Sequence, residues 1–275
     1  MENMPLPLQD HPAEEVKKVN RLPDLEEAIE QDAALEGAGE SHAQTLLHKV
    51  GEAQEQVPVK EYVPRKRNKF AYGCYRFIKR TFDIFSSGLM ILLLSWLILL
   101  CILIKWLEDF HNPIYVSKRV GKNGKIFKFY KIRTMCPNAE AMKAELIAKG
   151  LNEADPPAFK MKNDPRITKV GKVYRKLSLD ELPQLLNVFN GSMSVVGPRP
   201  PIPNEVDDYT EYQKHRLDVK GGLLCLWQIQ KNRNSLSFDE WVDLDLEYIQ
   251  RQSIWLDLKI IFKGAFMVIF DRSGE

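Results

Sequence analysis

The stretch SLDELPQLLNVFNGSMSVVGPRP, from Ser178 to Pro200, sets two adjacent carboxylates, Asp180 and Glu181, just ahead of Pro183. Further on it holds an arginine, Arg199, between Pro198 and Pro200. Flanking prolines limit the backbone freedom around Arg199, which suits a cation that must keep a fixed pose. Arginine's planar fork matches phosphate oxygens two at a time. Lys169, Lys172, Arg175 and Lys176 precede the acid pair. Acids among phosphate-binding cations point to Mg2+ coordination or to an aspartyl-phosphate nucleophile. Phosphoryl transfer needs neutralised oxygens and an aligned attacker, and this segment holds parts for both.

A structural use of the same residues competes. Ser178 and Glu181 have the spacing of a capping box, and acids are favoured at the partly positive helix N-terminus. Pro183 fits that box badly, because its ring would press on the carbonyl of Leu179. Proline prefers the first helical position. That alternative makes Leu182 the cap and leaves Asp180 and Glu181 just outside the helix, free for chemistry.

The elements that must hold these residues follow from pattern. ITKVGKVYRKLSLDELPQLLNVF reads as helical on both sides of the acid pair. YVSKRVGKNGKIFKFYKIRTM reads as a β-hairpin turning at KNGK. NAEAMKAELIAKGL is a helix ending at Gly150. The C-terminal LDLEYIQRQSIWLDLKIIFKGAFMVIF is helical and rich in large apolar residues, as in a helix lying along a membrane surface. There are no internal repeats.

From Ile84 to Ile104 runs IFSSGLMILLLSWLILLCILI, 21 residues without a charge. At about 1.5 Å rise per residue this is long enough to span a bilayer. Seven basic residues lie between Arg65 and Arg80, and seven more between Lys105 and Lys131. Positive charge tends to stay on the cytoplasmic side, so neither end favours crossing. Two arrangements answer this. One is a hairpin that enters, breaks near Ser95 and returns, helped by the serine bonding its own backbone. The other is a plain span that breaks the charge rule.

Charge is uneven along the 275 residues. Residues 1–60 hold 13 acidic and 5 basic residues, a net of −8 against +2 for the whole chain, which leaves +10 on the remainder. That acidic stretch is poor in aromatics and reads as a mostly disordered tail, with a passing helix at LPDLEEAIEQDAAL. The basic body suggests anionic partners. It contains no aromatic-interleaved basic motif, which argues against nucleic acid. Cys74, Cys101, Cys136 and Cys225 are scattered, giving neither a zinc site nor a disulfide framework and fitting a reducing compartment. MENMPLPLQDHPAEE has no basic start followed by an apolar run, so no signal peptide is expected.

Taken together, these blocks resemble the bacterial sugar transferases, also called monotopic phosphoglycosyl transferases. The resemblance rests on KRTFDI, KRVGKNGKIFKFYKIRTM, NDPRITKVGKVYRKLSLDELPQLLNVFNGSMSVVGPRP, LWQI, FDEWVDLDLEYI and LDLKII, in that order. It implies an α+β, mostly helical fold. A membrane-inserted re-entrant helical hairpin would precede a small cytosolic catalytic domain with a short β-hairpin and amphipathic surface helices. The expected divisions are a tail over 1–60, a basic flank and inserted helix over 61–112, and the catalytic domain over 113–275.

The resemblance implies a Mg2+-dependent transfer of sugar-1-phosphate from a nucleotide diphosphate sugar to polyprenyl phosphate. This would occur at the cytosolic face of the bacterial inner membrane and would begin glycan assembly. Asp180 matches the nucleophile that becomes a phosphosugar aspartate, and Glu181 completes the dyad. Arg175 and Arg199 match basic positions near the phosphates. Lys131, Arg133 and Arg233 match further phosphate-binding positions. Asp245 matches a position expected to share the metal with Asp180. A homodimer is compatible with this scheme, and the membrane lipid is a partner.

Three departures stand out. Ser95 is followed by Trp96 where the family often has proline. GGLLCLWQ, Gly221 to Gln228, replaces the frequent PGxTGLWQ. The acidic tail has no counterpart in the family's catalytic core. The second departure motivates an alternative, a membrane scaffold of the same fold with impaired turnover. Sugar specificity is expected to vary between Cys136 and Lys162.

Overall fold

The computed structural model describes residues 60–151, 161, 163–231, 233 and 235–270. Apart from Lys60, the acidic tail and its expected passing helix lie outside these residues, as does most of 152–162. From Tyr62 onward the chain forms a compact unit. It is mostly helical, with two small two-stranded sheets and one long apolar helix.

That helix, α1, runs from Lys69 to Asp109, 41 residues or about 62 Å. Asn68 caps its start by accepting from the Phe70 and Ala71 amides. Phe110 ends it in the left-handed region, its amide bonded to Trp106 O. The expected break at the midpoint is not found, and residues 69–109 are helical throughout. Ser95 does make the backbone bond foreseen for it, donating to Leu92 O at 2.9 Å. Most apolar side chains between Leu89 and Ile104 are exposed, whereas Asp83, Ser87, Cys101 and Lys105 are buried against the rest of the unit. So each end of α1 offers polar anchors and the middle offers none.

Strands β1 (Ile114–Val120) and β2 (Ile126–Ile132) pair antiparallel across Gly121–Lys125. Asn123 and Gly124 take positive φ in that turn, the reason the KNGK signature forms a hairpin. Helix α2 (Ala139–Ala148) closes with Gly150 at φ 68. The Gly150 amide bonds Ile147 O and the Leu151 amide bonds Leu146 O, the two bonds of a Schellman cap.

Helices α3 (Lys169–Lys176) and α4 (Gln184–Asn190) flank the acid pair, as the pattern predicts. Strand β3 (Ser194–Val196) then pairs in parallel with β4 (Gly222–Leu224). Short helices α5 (Pro203–Asp207) and α6 (Glu211–Lys214) lie between them. The C-terminal helical stretch divides in two at Gln252–Ser253, giving α7 (Phe238–Arg251) and α8 (Ile254–Phe270). Ser237 and Glu240 form a reciprocal capping box at the start of α7. On α8, Trp255, Phe262 and Phe266 are exposed while Ile260 is fully buried.

Three small cores hold the unit. Val196, Val242, Leu246, Ile249 and Ile260 join β3, α7 and α8. Cys101, Ile132 and Tyr174 join α1, β2 and α3. Phe129, Val188 and Met193 join β2 to α4. Each fully buried Val or Ile contributes about 2 kcal/mol. Strand β2 takes part in two of these cores, so it is the element against which both helices flanking the acid pair are registered.

Candidate active site

Helix α3 approaches β2 closely because residue 171 is glycine. A β-carbon there would stand 2.0 Å from Thr134 O. Thr168 caps the helix, accepting from the Gly171 amide, and its own amide bonds Thr134 O. Arg175, one turn on, is thereby set with Nε donating to Thr134 Oγ1 at 3.0 Å. Its side chain is otherwise exposed.

After α3 the chain turns through Ser178, held at φ 53, into a single 3-10 turn over Leu179–Glu181. The Ser178 side chain makes no capping bond, so the capping-box reading does not hold. Helix α4 starts at Gln184 with Pro183 at the cap position. Leu182 is therefore not the cap, but the consequence drawn from that reading stands. Asp180 and Glu181 lie outside the helix with their carboxylates free of capping. Asp180 is 7% exposed.

Lys131 on β2 serves both acids. Its Nζ is 2.8 Å from Glu181 Oε1 and 3.7 Å from Asp180 Oδ2. The two carboxyls diverge in consequence. Burial, reinforced by the Glu181 charge, pushes Asp180 above the ordinary carboxylate value, against the pull of Lys131 and Arg175. Burial also opposes ionisation of Glu181, but Lys131 and Arg199 outweigh it and hold that carboxyl below its usual value. Glu181 is the committed anion, and Asp180 is the more basic partner.

Arg199 is exposed between the buried Pro198 and Pro200. Its surroundings are packed backbone to backbone. A β-carbon on Gly222 would stand 2.0 Å from Gly197 N, and one on Gly221 2.9 Å from the Pro200 ring. The Gly221–Gly222 part of the departing GGLLC segment is therefore required by this close approach of β3 and β4. Cys225, which ends it, is buried, with its amide bonded to Gln228 Oε1. The Arg199 charge favours the ionised form of both Glu181 and Asp245.

Asp245 itself is 1% exposed and is gripped by Arg216 through Nε at 2.9 Å and Nη2 at 2.8 Å. Burial pushes its carboxyl up to about 6 despite that pairing. Asp245 is thus the counter-charge of Arg216, and the Arg199 charge also acts on it. Two of the sequence-derived residues are engaged away from the acid pair. Arg133 closes its fork on Asp109 at 2.6 and 2.7 Å and also donates to the Asn112 and Met135 carbonyls, fastening the end of α1. Arg233 donates to Gln228 O, at 3.5 Å.

Among the described residues, no cluster of three or more His, Cys, Asp or Glu side chains is placed to hold a metal. Mg2+ needs no such cage, since it is commonly held by one or two carboxylates plus substrate phosphates and water. Asp180 beside exposed Arg175 and Arg199 fits that minimal donor set. Asp245 takes both Arg216 bonds on Oδ2 and keeps Oδ1 buried and without a hydrogen-bond partner among the described residues, so it retains one open donor oxygen.

Sequence reasoning missed several members of the site. Gln184 is 3% exposed and lies against the Glu181 carboxylate, helping Lys131 and Arg199 to hold it ionised. Arg119 donates to Pro200 O at 3.0 Å, its Nε is buried and unpartnered, and the Arg199 charge lies close to it. Asn187 ties α4 to β2, donating to Lys128 O and accepting from the Tyr130 amide. Asp83 of α1 accepts from the Val195 amide and Ser194 Oγ, tying the membrane helix to β3. The one available signal was an acid one residue before an apolar run, where a charge is out of place unless it is paired.

The family described as Bacterial sugar transferase matches residues 74–271. The galactosyl transferase CpsE of Streptococcus agalactiae is 43% identical over 207 residues, covering 75% of this chain and 45% of that protein. The undecaprenyl-phosphate galactose phosphotransferase of Salmonella typhimurium is 42% identical over 217 residues, covering 76% and 44%. The exopolysaccharide production protein ExoY of Rhizobium meliloti is 41% identical over 203 residues, covering 71% and 87%. The chain thus spans under half the length of the first two relatives and most of the third.

Proposed function

This chain belongs to the bacterial sugar transferase family, and from that premise we propose that it is a phosphoglycosyl transferase. It moves a sugar-1-phosphate from a nucleotide diphosphate sugar, of the UDP class, to polyprenyl phosphate. The relatives, which include an undecaprenyl-phosphate galactose phosphotransferase and an exopolysaccharide production protein, support this reading and a place at the start of glycan assembly.

The carrying observation is the split acid pair, a buried and more basic Asp180 beside a committed Glu181 with Lys131 between them. Asp180 is the nucleophile. Its carboxylate oxygen attacks the sugar-linked phosphorus, the bond from that phosphorus to the bridging oxygen breaks, and the nucleoside monophosphate leaves with the electron pair. A terminal oxygen of the polyprenyl phosphate then attacks the same phosphorus, releasing the Asp180 carboxylate and the lipid diphosphate sugar. Arg175 and Arg199 hold the non-bridging oxygens. Lys131 keeps Asp180 ionised. Mg2+ would be held by Asp180 and the donor's phosphates, where it would neutralise charge on the diphosphate.

The helix α1 serves as a re-entrant anchor. Near its start, Lys79 pairs with Asp257, Arg80 bonds the Val188 and Phe189 carbonyls, and Asp83 bonds β3. Near its other end, Cys101 O accepts from Tyr174 and Lys105 reaches Thr168. Both ends of the apolar segment thus hold the same unit. A straight span would part its ends by about 30 Å of hydrocarbon, so this contact pattern and the doubly basic flanks support a helix that stays unbroken and bends within the membrane, rather than unwinding at Ser95, to keep both ends on one side. That side is cytosolic under the same charge rule.

The test mixes full-length detergent-purified protein and Mg2+ with a panel of UDP-sugars, without lipid acceptor, and records intact mass. A gain of one phosphosugar, absent in Asp180→Asn, is expected. No gain with any donor that still binds would reject the covalent route and leave the scaffold reading.

A further inference from the structure

A second cationic site lies away from the acid pair. Arg76 and Arg80 are four residues apart on α1 and therefore share a face. They stand one to two turns before the apolar run begins at Ile84, at the depth of membrane headgroups. Lys122 comes from the hairpin turn, and Lys220 from the residues just before β4. A β-carbon built on Gly191 would stand 3.0 Å from Arg80 Nη2 and 3.3 Å from Lys220 Nζ, so those cations are within about 6 Å of each other. The charges of Arg80, Arg76 and Lys122 act on Lys220, and the charge of Arg76 acts on Lys122.

Four like charges gathered this way repel one another, and only two acids, Asp83 acting on Lys220 and Asp218 acting on Lys122, offset them among the described residues. None of the four forms an ion pair with another described residue. Neither acid is in ion-pair contact with the cluster, since the Asp83 carboxylate accepts from the Val195 amide and Ser194 hydroxyl and Asp218 contacts His215, so the four cations exceed the two acids near them. Arg80 has a structural use, donating to the last carbonyls of α4 at 2.7 and 2.8 Å. Arg76, Lys122 and Lys220 have no comparable protein partner among the described residues.

We propose that Arg76, Arg80, Lys122 and Lys220 bind the phosphate of an anionic phospholipid headgroup. The acceptor's phosphate is a poor occupant, because the site lies beyond the far end of α4. That helix alone separates it from the acid pair by about 10 Å, and the acceptor must reach the phosphorus on Asp180. A headgroup there would neutralise the cluster and fix how far α1 enters the membrane. This site does not depend on the catalytic reading.

The test is native mass spectrometry of the full-length protein released from mild detergent with equal amounts of phosphatidylglycerol and phosphatidylcholine. The wild type is expected to retain phosphatidylglycerol in roughly tenfold preference, each cation adding attraction to an anionic surface. Lys122→Gln with Lys220→Gln reduces that preference to about twofold or less, whereas Lys118→Gln with Lys125→Gln, equal in charge change, keeps it. Should the first pair fail to fold, Arg76→Gln alone is expected to lower the preference about fivefold. Absence of a preference in the wild type overturns the proposal, as does an equal loss in the Lys118 and Lys125 pair. Selective displacement of phosphatidylglycerol by equimolar polyprenyl phosphate, or by inorganic phosphate, overturns it too and assigns the site to that ligand instead.

Discussion

The Lys131 ammonium on β2 stands 3.7 Å from Asp180 Oδ2 in the turn before α4. Nothing in chain order brings these residues together. The hairpin, Gly171 and the packing of Phe129 on Val188 do so. Lys131 favours the Asp180 anion, against burial, which favours the acid.

Removing that cation has a definite sign. The Asp180 pKa already lies above the ordinary carboxylate value, so formation of the phosphosugar intermediate falls as pH drops through it. Lys131→Met raises that pKa further. The acid limb of the intermediate-formation rate moves to higher pH, and part of the lost rate returns in alkaline buffer. A limb that stays in place or moves down would refute the coupling.

Asp245→Asn separates a counter-charge from a metal ligand. It leaves the Arg216 guanidinium, 5% exposed, without its partner. The expected loss is about 3 kcal/mol of stability in denaturant unfolding, with the Mg2+ concentration for half-maximal activity unchanged. An unchanged stability with a raised Mg2+ requirement would return Asp245 to the metal.

Gly171→Ala forces a β-carbon into the Thr134 carbonyl, which neither backbone can avoid without moving α3 off β2. Arg175 loses its bond to Thr134 as a result. A drop in unfolding free energy of about 2 kcal/mol and at least tenfold slower intermediate formation are expected, readable by chemical denaturation and intact mass.

Arg199→Lys keeps the charge and removes the fork. The Pro198 and Pro200 walls leave a lysine no way to re-aim its single ammonium at two oxygens. The donor KM is expected to rise at least tenfold while stability stays within about 0.5 kcal/mol. A KM equal to wild type would show that Arg199 does not hold the donor phosphates.

Much of this was readable from one dimension. The hairpin at KNGK, the helix ending at Gly150 and the helices on both sides of the acid pair follow from local turn chemistry and periodicity, which act within a few residues. So does the prediction that Ser95 bonds its own backbone. Two boundary readings failed for a local reason. The left-handed Ser178 and the 3-10 turn after it satisfy the backbone without a capping box, and the helix starts later than Leu182.

The roles of individual charges were a different matter. Arg133 and Arg175 look alike in sequence, two arginines in basic surroundings. Tertiary contact spends the first on Asp109 and leaves the second pointing outward from Thr134. Asp245 matches a functional position by resemblance, and only the fold shows that Arg216 pairs with one of its oxygens. Sequence by itself determined the adjacency of the two acids, the proline setting of Arg199 and the length of the apolar segment. All three depend on residue type and on neighbours in the chain. Which cation serves which anion, and that both ends of α1 hold one unit, were decided by the tertiary structure. Coulomb and hydrogen-bond energies depend on separation and burial in space, which residues 50 to 180 positions apart acquire only on folding.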